Sequence, residues 1–451
     1  MIYWIGANSG TYRWAAVLSA AMAIAFIALN FALFGWTLGF ILRKHIPMGI
    51  YWAPILWVMV EFLRSFGTLS MPWVNLSLSQ VQYLPAIQIA GMTGMYGVSW
   101  WVVLLNVILY KYLLARDAGN RSLQLALAGV GVYLLPIIYG TVVLQMLPGH
   151  NQGTKPLTIA VIQPNIDPNQ KWDRKFRSQN IAFLDSLTYR AIEQHPDIVV
   201  WPETATPSYL RYNTYGYQTH LQHLVDSIQT PILTGTPDWE PAADSREKDK
   251  GSYYNGAILV EPAKEMDQVY RKIKLVPFAE YVPYSWLFGF FYKLDLGQGK
   301  YTPGGKYTVF EYKNHKATKM SVAICYDSSF PGLVRRFRER GAQWLAIITN
   351  DAWFGNTSGP YQHAAWAQMR AVETRIPVAR SANTGVSMLI DGWGRVNARL
   401  PLNTQGTLAG TLETALPQTF YAKFGDLFSL MMTVWGLTGL GWAALNGVIK
   451  S

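Results

Sequence analysis

Five long stretches with almost no charged residues constrain this chain more than any other feature of its sequence. They cover residues 14–42, 48–63, 84–110, 122–146 and 424–447. A helix of about 17–25 apolar residues is long enough to cross a bilayer. The sequence therefore predicts a multi-pass α-helical membrane domain over residues 1–148, with about four spans, and a further transmembrane helix over 424–447.

The overall composition also favours a membrane protein. Charged residues make up 14% of the chain, against about 25% in a typical soluble domain. The net charge of +11 raises the alternative of nucleic-acid binding, but no basic run with interleaved aromatic residues is present, so we predict no nucleic-acid partner.

The positions of the positive charges predict the topology. Arg43, Lys111 and Lys450 follow the first, third and fifth apolar stretches. Positive residues are enriched on the cytoplasmic side of membrane proteins. We therefore expect the loop 64–83 and the charged central region, residues 155–418, on the opposite, extracytoplasmic side.

The central region has the pattern of a layered α/β domain. Short β-branched, apolar runs alternate with amphipathic helical stretches, as expected for strands that are buried on both faces. The strands are predicted at 157–165, 197–203, 231–236, 257–260, 319–327, 344–351 and 386–391, and the helices at 177–194, 332–340 and 362–375.

Three polar residues lie in loops at or near the ends of predicted strands. Glu203 ends IVVWPE, Cys325 lies near the end of SVAICYD, and Lys272 lies in the Pro- and aromatic-rich segment YRKIKLVPFAEYVP. Taken singly, each has an ordinary explanation, because a Glu caps strands, a Lys is a surface charge, and a lone cysteine is usually a small buried hydrophobe. Together they supply the base, the cation and the nucleophile that acyl transfer through cysteine requires.

The chemistry of the thiol assigns each residue a role. A free thiol has a pKa of about 8.5 and needs a base or a positive neighbour for activation. A partly buried Glu203 can accept that proton near neutral pH and later return it. Lys272 and a backbone N–H near Cys325 would stabilise the oxyanion. His363 has no Cys, Asp or second His at metal-ligand spacing, so we predict a packing or capping residue and no metal.

Six stretches together resemble one family. They are VEFLRSFGTLSMPWVNLSLSQ (60–80), VIQPNIDPNQKWD (161–173), VVWPETATP (199–207), YRKIKLVPFAEYVP (270–283), ICYDSSFP (324–331) and NDAWFGNTSGPYQHAAWAQMRAVETRIPVARSANTG (350–385). The chain resembles the apolipoprotein N-acyltransferase family, whose members are bacterial inner-membrane proteins of the nitrilase superfamily.

The resemblance implies a fold and a location. It implies a nitrilase-type αββα sandwich over 155–418, on the periplasmic side of the inner membrane and joined to membrane helices. The chain begins part-way through the family's membrane part, so we expect a shortened N-terminal membrane region.

The resemblance also assigns site residues. The family's catalytic glutamate, lysine and cysteine fall on Glu203, Lys272 and Cys325, and a second functional glutamate, which would orient and charge Lys272, falls on Glu280. Further supporting or substrate-binding positions of the family fall on Trp172, Tyr326 and Asp327. The family's pattern has Glu beside the tyrosine, where this chain has the shorter Asp327.

The implied reaction is a two-step exchange without a cofactor. Cys325 takes a fatty acyl group from a membrane phospholipid as a thioester, and the α-amino group of the diacylglyceryl-cysteine of an apolipoprotein then accepts it. The alternatives are a membrane-tethered nitrilase-like amidase or hydrolase, in which water replaces the amine, and a non-catalytic lipid- or lipoprotein-binding protein.

Overall fold

The structure is a computed structural model that describes residues 2–44, 48–119, 122–146, 155–171, 173–212, 214–242, 251–289, 292, 299–312 and 318–448. The chain divides into two units. The sandwich unit comprises Met1–Ala20, Gln152–Ala371 and Arg375–Pro417, and the helical unit comprises Ala21–Asn151, Val372–Thr374 and Gln418–Ser451.

The described residues form α-helices and strands in an order that begins with helices and continues with alternating elements. The helices are α1 (Arg13–Arg43), α2 (Ala53–Leu63), α3 (Leu84–Ile87), α4 (Ala90–Thr93), α5 (Met95–Asp117), α6 (Leu123–Met146), α7 (Pro168–Lys171), α8 (Arg177–Ile192), α9 (Tyr217–Ile228), α10 (Ser285–Phe288), α11 (Pro331–Glu339), α12 (Gly359–Thr374), α13 (Phe420–Phe424) and α14 (Leu427–Val448). The strands are β1 (Lys155–Gln163), β2 (Ile198–Val200), β3 (Ile232–Glu240), β4 (Ser252–Val260), β5 (Val269–Arg271), β6 (Phe310–Tyr312), β7 (Thr318–Ile324), β8 (Trp344–Thr349), β9 (Val378–Ala382), β10 (Ser387–Ile390), β11 (Val396–Leu400) and β12 (Gly406–Thr414).

Within the described residues, four helices contain segments that are long and apolar enough to cross a membrane. These segments are Arg13–Arg43, Met95–Asp117, Leu123–Met146 and Leu427–Leu445. Their apolar residues surround the helix instead of forming one stripe, as expected for helices in contact with lipid.

Two of the predicted spans fold differently from one continuous helix. Residues 48–63 form a 3-10 turn followed by α2, whose 11 residues are shorter than a bilayer crossing requires. Residues 84–110 are interrupted at Gly94, which has φ of +66° and begins α5. A Cβ at Gly94 would lie 2.8 Å from the Tyr421 ring, so only glycine fits this turn. The number of crossings stays a prediction.

Buried polar groups hold the loop 64–83 onto α2. The backbone N–H of Leu76 donates to Glu61 Oε1 at 2.7 Å, and Arg64 donates to Asn75 Oδ1 at 2.5 Å. Trp73 is buried within the helical unit. The polar residues of this loop therefore serve its own folding, because a buried charge needs hydrogen-bond partners.

The sandwich unit contains two six-stranded sheets. Their strand orders are β12-β1-β2-β3-β4-β5 and β11-β10-β9-β8-β7-β6. Each sheet has a parallel centre, β1-β2-β3 in one and β7-β8-β9 in the other, with antiparallel strands outside it. The central strands β2 and β8 are buried along their whole length, and β7 is buried at every residue except Lys319, which explains their apolar sequences.

The two sheets pack face to face, with helices on the outside. β1 contacts β9, and β4 contacts β7, across the interface between the sheets. Helices α8 and α9 cover the outer face of the first sheet with an apolar cluster that includes Leu184, Leu187, Leu221 and Val225. This is the αββα sandwich that the sequence predicted.

A short N-terminal segment also belongs to the sandwich unit. The 3-10 turn Tyr3–Ala7 places the buried Trp4 ring 4.5 Å from the ring of Phe354, centroid to centroid. Trp4 Nε1 donates to Gln362 Oε1 at 3.0 Å, at the start of α12. Residues that are more than 300 positions apart in the sequence therefore pack together in this unit.

Candidate active site

The sandwich unit presents the three sequence-predicted site residues just after three strands. Glu203 follows β2, Lys272 follows β5, and Cys325 follows β7 and begins the 3-10 helix Cys325–Ser329. The backbone of Lys272 is held on both sides, because its N–H donates to Asn255 O at 2.8 Å and its carbonyl accepts from Gly304 N at 2.8 Å. The strands thus fix the Cα positions of these three residues.

Lys272 lies between two carboxylates in a buried position. Its Nζ is 2.8 Å from Glu280 Oε2 and 4.0 Å from Glu203 Oε1, and its side chain is 1% exposed. Asn255 Nδ2 donates to Glu203 Oε1 at 2.7 Å and to Glu280 Oε1 at 3.2 Å. The amide of Asn255 therefore separates two carboxylates that would otherwise repel each other.

The two carboxylates shift the protonation equilibria of the site. Burial disfavours the charged form of Lys272, but the nearby negative charges, of which Glu280 is the largest and Glu203 and Asp327 are among the others, together outweigh burial, so the pKa of Lys272 is raised above its ordinary value. Burial raises the pKa of Glu203, against the effect of Lys272 and with a contribution from Glu280. The site thus holds a firmly charged cation beside a carboxylate that readily accepts a proton.

Cys325 occupies a strained backbone conformation beside this pair. Its φ is +49°, in the left-handed region that residues with a Cβ rarely adopt. Its side chain is half-buried. Burial raises the pKa of the Cys325 thiol and the charge of Glu203 raises it further, while Lys272 opposes both effects. A protonated thiol near a carboxylate needs that carboxylate as its base.

Asp327 joins the lysine segment to the nucleophile segment. It accepts hydrogen bonds from Tyr270 Oη at 2.7 Å, from Lys274 N at 2.7 Å and from Ile324 N at 3.1 Å. Burial raises the pKa of Asp327 to about 6. The family has a glutamate at this position. The shorter side chain of Asp327 nevertheless accepts hydrogen bonds from three donors.

The other sequence-predicted positions have different surroundings. Tyr326 is buried, and its ring lies 5.1 Å from the ring of Phe330. Glu280 Oε2 also accepts from Val276 N at 2.8 Å, which fixes the carboxylate that faces Lys272. Trp172 lies outside the described residues. Lys274 places its Nζ 4.9 Å from the Phe330 ring centre, and burial lowers its pKa.

Sequence reasoning missed Asn255 and Lys171, which both contact Glu203. Lys171 Nζ donates to Glu203 O at 2.9 Å and to Thr204 Oγ1 at 2.9 Å. Burial lowers the pKa of Lys171 to about 8. The signal for Asn255 was a lone amide just before the apolar run 257–260 of β4, because a polar side chain in a buried strand needs partners.

The segment after β8 supports Glu203 from the second sheet. Asn350 N donates to Glu203 Oε2 at 2.8 Å. Next to it, Asp351 contacts His363 and Arg380, all buried. The sequence predicted that His363 would be a packing or capping residue.

Comparison with known proteins connects this geometry to a family. A family model for the carbon-nitrogen hydrolase domain matches residues 158–420, and one for the apolipoprotein N-acyltransferase N-terminal domain matches residues 1–108. The apolipoprotein N-acyltransferase of Geobacter metallireducens is 32% identical over 95% of this chain and 81% of its own length.

The chain belongs to the apolipoprotein N-acyltransferase family. The family's member from Pseudomonas syringae pv. tomato is 31% identical over 99% of this chain and 85% of its own length. Among solved structures, an amidase from Nesterenkonia sp. is 20% identical, with a TM-score of 0.44, over 63% of this chain and 98% of that one.

Family membership confirms the resemblance, the nitrilase-type sandwich and an acyltransferase enzyme of the bacterial inner membrane. It favours acyl transfer over the alternative of a membrane-tethered hydrolase. The roles of the individual site residues stay predictions.

Proposed function

We propose that this protein transfers a fatty acyl group from a membrane phospholipid, through a thioester on Cys325, to the α-amino group of a diacylglyceryl-cysteine at the N-terminus of an apolipoprotein. The main support is the buried Lys272–Glu280 ion pair with Glu203 beside it, next to the strained turn of Cys325. The relatives' names supply the class of acceptor.

In the first half-reaction, Glu203 takes the proton of the Cys325 thiol as the sulfur attacks the ester carbonyl of the phospholipid. A carbon–sulfur bond forms, and negative charge develops on the former carbonyl oxygen. Lys272 stabilises this oxyanion with a charge already present before the reaction, so little reorganisation is needed. The carbon–oxygen ester bond then breaks, and Glu203 returns the proton to the leaving lysophospholipid.

In the second half-reaction, an uncharged amine attacks the thioester carbonyl. An α-amino group has a pKa of about 7.7–8.0, so a substantial fraction is uncharged near neutral pH. A carbon–nitrogen bond forms, Glu203 accepts a proton from the nitrogen, and the carbon–sulfur bond breaks. Glu203 then returns a proton to the sulfur, which restores the thiol. No oxidant, reductant or cofactor takes part.

The surrounding residues hold these groups in place. Glu280 keeps Lys272 charged and oriented, and Asp327 keeps the lysine and cysteine segments together. We assign Tyr326 and Trp172 to the substrate-binding wall of the site.

The domain organisation follows from where both substrates reside. A membrane domain over 1–148 and a helix over 424–447 would hold the catalytic domain, 155–418, at the periplasmic surface of the membrane, where the lipid donor and the lipoprotein acceptor meet. The pattern of positive charges supports this orientation.

The first test is a search for the thioester. The purified protein is incubated in phospholipid vesicles without acceptor and analysed by intact-protein mass spectrometry. We expect a fatty acyl adduct that hydroxylamine removes and that is absent from Cys325→Ala. Folded protein without an adduct contradicts the proposal. An adduct that discharges to free fatty acid, and never to an added diacylglyceryl-cysteine peptide, would indicate a hydrolase instead.

A further inference from the structure

A buried polar network lies directly behind the turn that carries Cys325. His363, in the first turns of α12, has its Nδ1 2.8 Å from Asp351 Oδ1, and Asp351 Oδ2 accepts from Arg380 at 2.8 Å. The side chains of all three residues are fully buried. Buried charges are costly unless they are paired, so such a network has a strong structural requirement.

The network ends on the main chain of Cys325. His363 Nε2 lies 3.1 Å from the Cys325 carbonyl oxygen and 3.1 Å from Ser328 Oγ. Ser328 Oγ itself donates to the same carbonyl at 2.7 Å. Two side chains therefore converge on one carbonyl oxygen.

The chemistry of the acceptors defines what the imidazole does. Burial would raise the pKa of the Asp351 carboxyl, but Arg380 and His363 outweigh burial and hold this pKa well below its usual range. The ionised carboxylate and the peptide carbonyl can only accept hydrogen bonds. Both ring nitrogens of His363 therefore face acceptors, and the ring links the Asp351–Arg380 ion pair to the Cys325 carbonyl.

The held carbonyl belongs to the peptide unit that joins Cys325 to Tyr326. This unit is planar, and its carbonyl and its N–H point in opposite directions when the bond is trans, as it is here. Hydrogen bonds at the oxygen fix the direction of the N–H and make it a stronger donor, because linked hydrogen bonds polarise one another. The φ of +49° at Cys325 shows that this turn needs such support.

We propose that His363 is a positioning residue for acyl transfer. With Ser328, it holds and polarises the Cys325–Tyr326 peptide, so that this peptide presents its N–H to the oxyanion while the thiol keeps its place. The inference rests on the proposed thioester mechanism, and it extends that mechanism to a His–Asp–Arg network that contacts no reacting atom.

The packing around Asp351 leaves the network no alternative arrangement. A Cβ on Gly385 would lie 2.2 Å from Asp351 Oδ2, so glycine is required where β9 leads into β10. Thr349 Oγ1 also donates to Asp351 Oδ1 at 2.9 Å. The Asp351 carboxylate is therefore held by Thr349, His363 and Arg380 and packs against Gly385.

The test compares His363→Leu, which removes the donor, with His363→Gln, whose amide retains one. Two rates are measured: formation of the hydroxylamine-sensitive acyl adduct, and alkylation of Cys325 by iodoacetamide, which has no oxyanion. For His363→Leu we expect acylation to fall about 10- to 100-fold, which is less than the roughly 100- to 1,000-fold cost of losing an oxyanion donor itself, because the N–H is misplaced and not removed. Alkylation should change less than about threefold, and His363→Gln should recover much of the acylation rate.

His220→Leu is the matched control, because His220 also pairs with an aspartate, at 2.9 Å from Asp185, but its side chain is 45% exposed. It should leave both rates unchanged. Equal losses of acylation and alkylation in His363→Leu, without recovery in His363→Gln, would mean a merely structural role and overturn the inference, as would unchanged acylation. Absence of the adduct in the unmodified protein would instead reject the thioester mechanism itself.

Discussion

At the scale of single residues, the site depends on a cation that two carboxylates keep charged. Lys272 is buried, and without a negative neighbour burial would favour its neutral form. Glu280 is the nearer carboxylate and contacts the ammonium with both oxygens. Glu203 lies farther away, which leaves it able to accept a proton.

Replacement of Glu280 should show that the charge of Lys272 depends on this carboxylate. In Glu280→Gln, the largest of the charges that oppose burial is removed, which lowers the pKa of Lys272, so the ammonium is lost at a lower pH than in the unmodified protein. We expect thioester formation to fall about 10- to 100-fold near neutral pH, because part of the oxyanion stabilisation by Lys272 is lost, with a further decline toward alkaline pH. The measurement is the initial rate of adduct formation between about pH 6 and 10.

Glu240→Gln is the control for this experiment. Glu240 also pairs with a cation, Arg271, at 2.7 Å, but its side chain is half exposed. We expect little effect on the rate at any pH. A Glu280→Gln variant with the rate and pH profile of the unmodified protein would show that Lys272 needs no such partner.

The raised pKa of Asp327 predicts how the stability of the folded protein changes with pH. Burial raises its pKa in the folded state to about 6, above the ordinary value of 3.8. The folded state therefore binds more protons between these two values, and the contribution of Asp327 to stability is present at low pH and lost as the pH rises through about 6.

Thermal unfolding in detergent can measure this effect. The quantity to follow is the unfolding temperature of the unmodified protein minus that of Asp327→Asn. We expect this difference to decrease as the pH is raised from about 4 to about 6, and then to level off. An offset that does not change with pH would contradict a buried, titrating Asp327. Asp226→Asn is a suitable control, since Asp226 is not buried and its pKa is lowered by hydrogen bonds from Ala263 and Gln222.

At the scale of elements, the position of Glu203 depends on how closely β3 approaches the loop after β2. A Cβ on Gly235 would lie 2.5 Å from Thr204 N and 2.7 Å from the Glu203 Cα, which are main-chain atoms that cannot rotate away. The loop itself is strained, because Thr204 has φ of +45°. Gly235 is therefore required for the placement of the base.

Gly235→Ala should move Glu203 while the chemistry of every side chain stays the same. We expect destabilisation of about 1–3 kcal/mol from overpacking and a clear loss of thioester formation. Gly305→Ala is the control, since nothing lies within 4 Å of a Cβ at that position. If both variants retain full activity, the close approach does not set the position of Glu203.

The elements also show what the sequence could and could not predict. The central strands β1, β2, β3, β7 and β8 and the helices α8, α11 and α12 were predicted because buried apolar runs and helical spacing are strong signals. The central strand β9 was missed because its sequence, VARSA, contains an arginine and a serine and is not an apolar run. The three-residue strands β5 and β6 were missed because they are too short for a pattern. β12 was missed because most of its residues are only partly buried, so alternation is weak.

The site was predicted in a similarly uneven way. Glu203, Lys272 and Cys325 stand near strand ends, where polar residues are conspicuous. Asn255 lies within a strand, and His363 lies in a helix, 38 residues from the carbonyl that it contacts. Such contacts depend on how two sheets pack, which no local pattern encodes.

At the scale of the whole molecule, the order in which the chain is made has a consequence for the sandwich unit. Trp4 binds Gln362, which is 358 residues later in the sequence. Ribosomes add roughly 5–20 residues per second. The first segment of this unit therefore waits roughly 20–70 seconds for its partner, and the last part of the sandwich to be synthesised must find the first part already made.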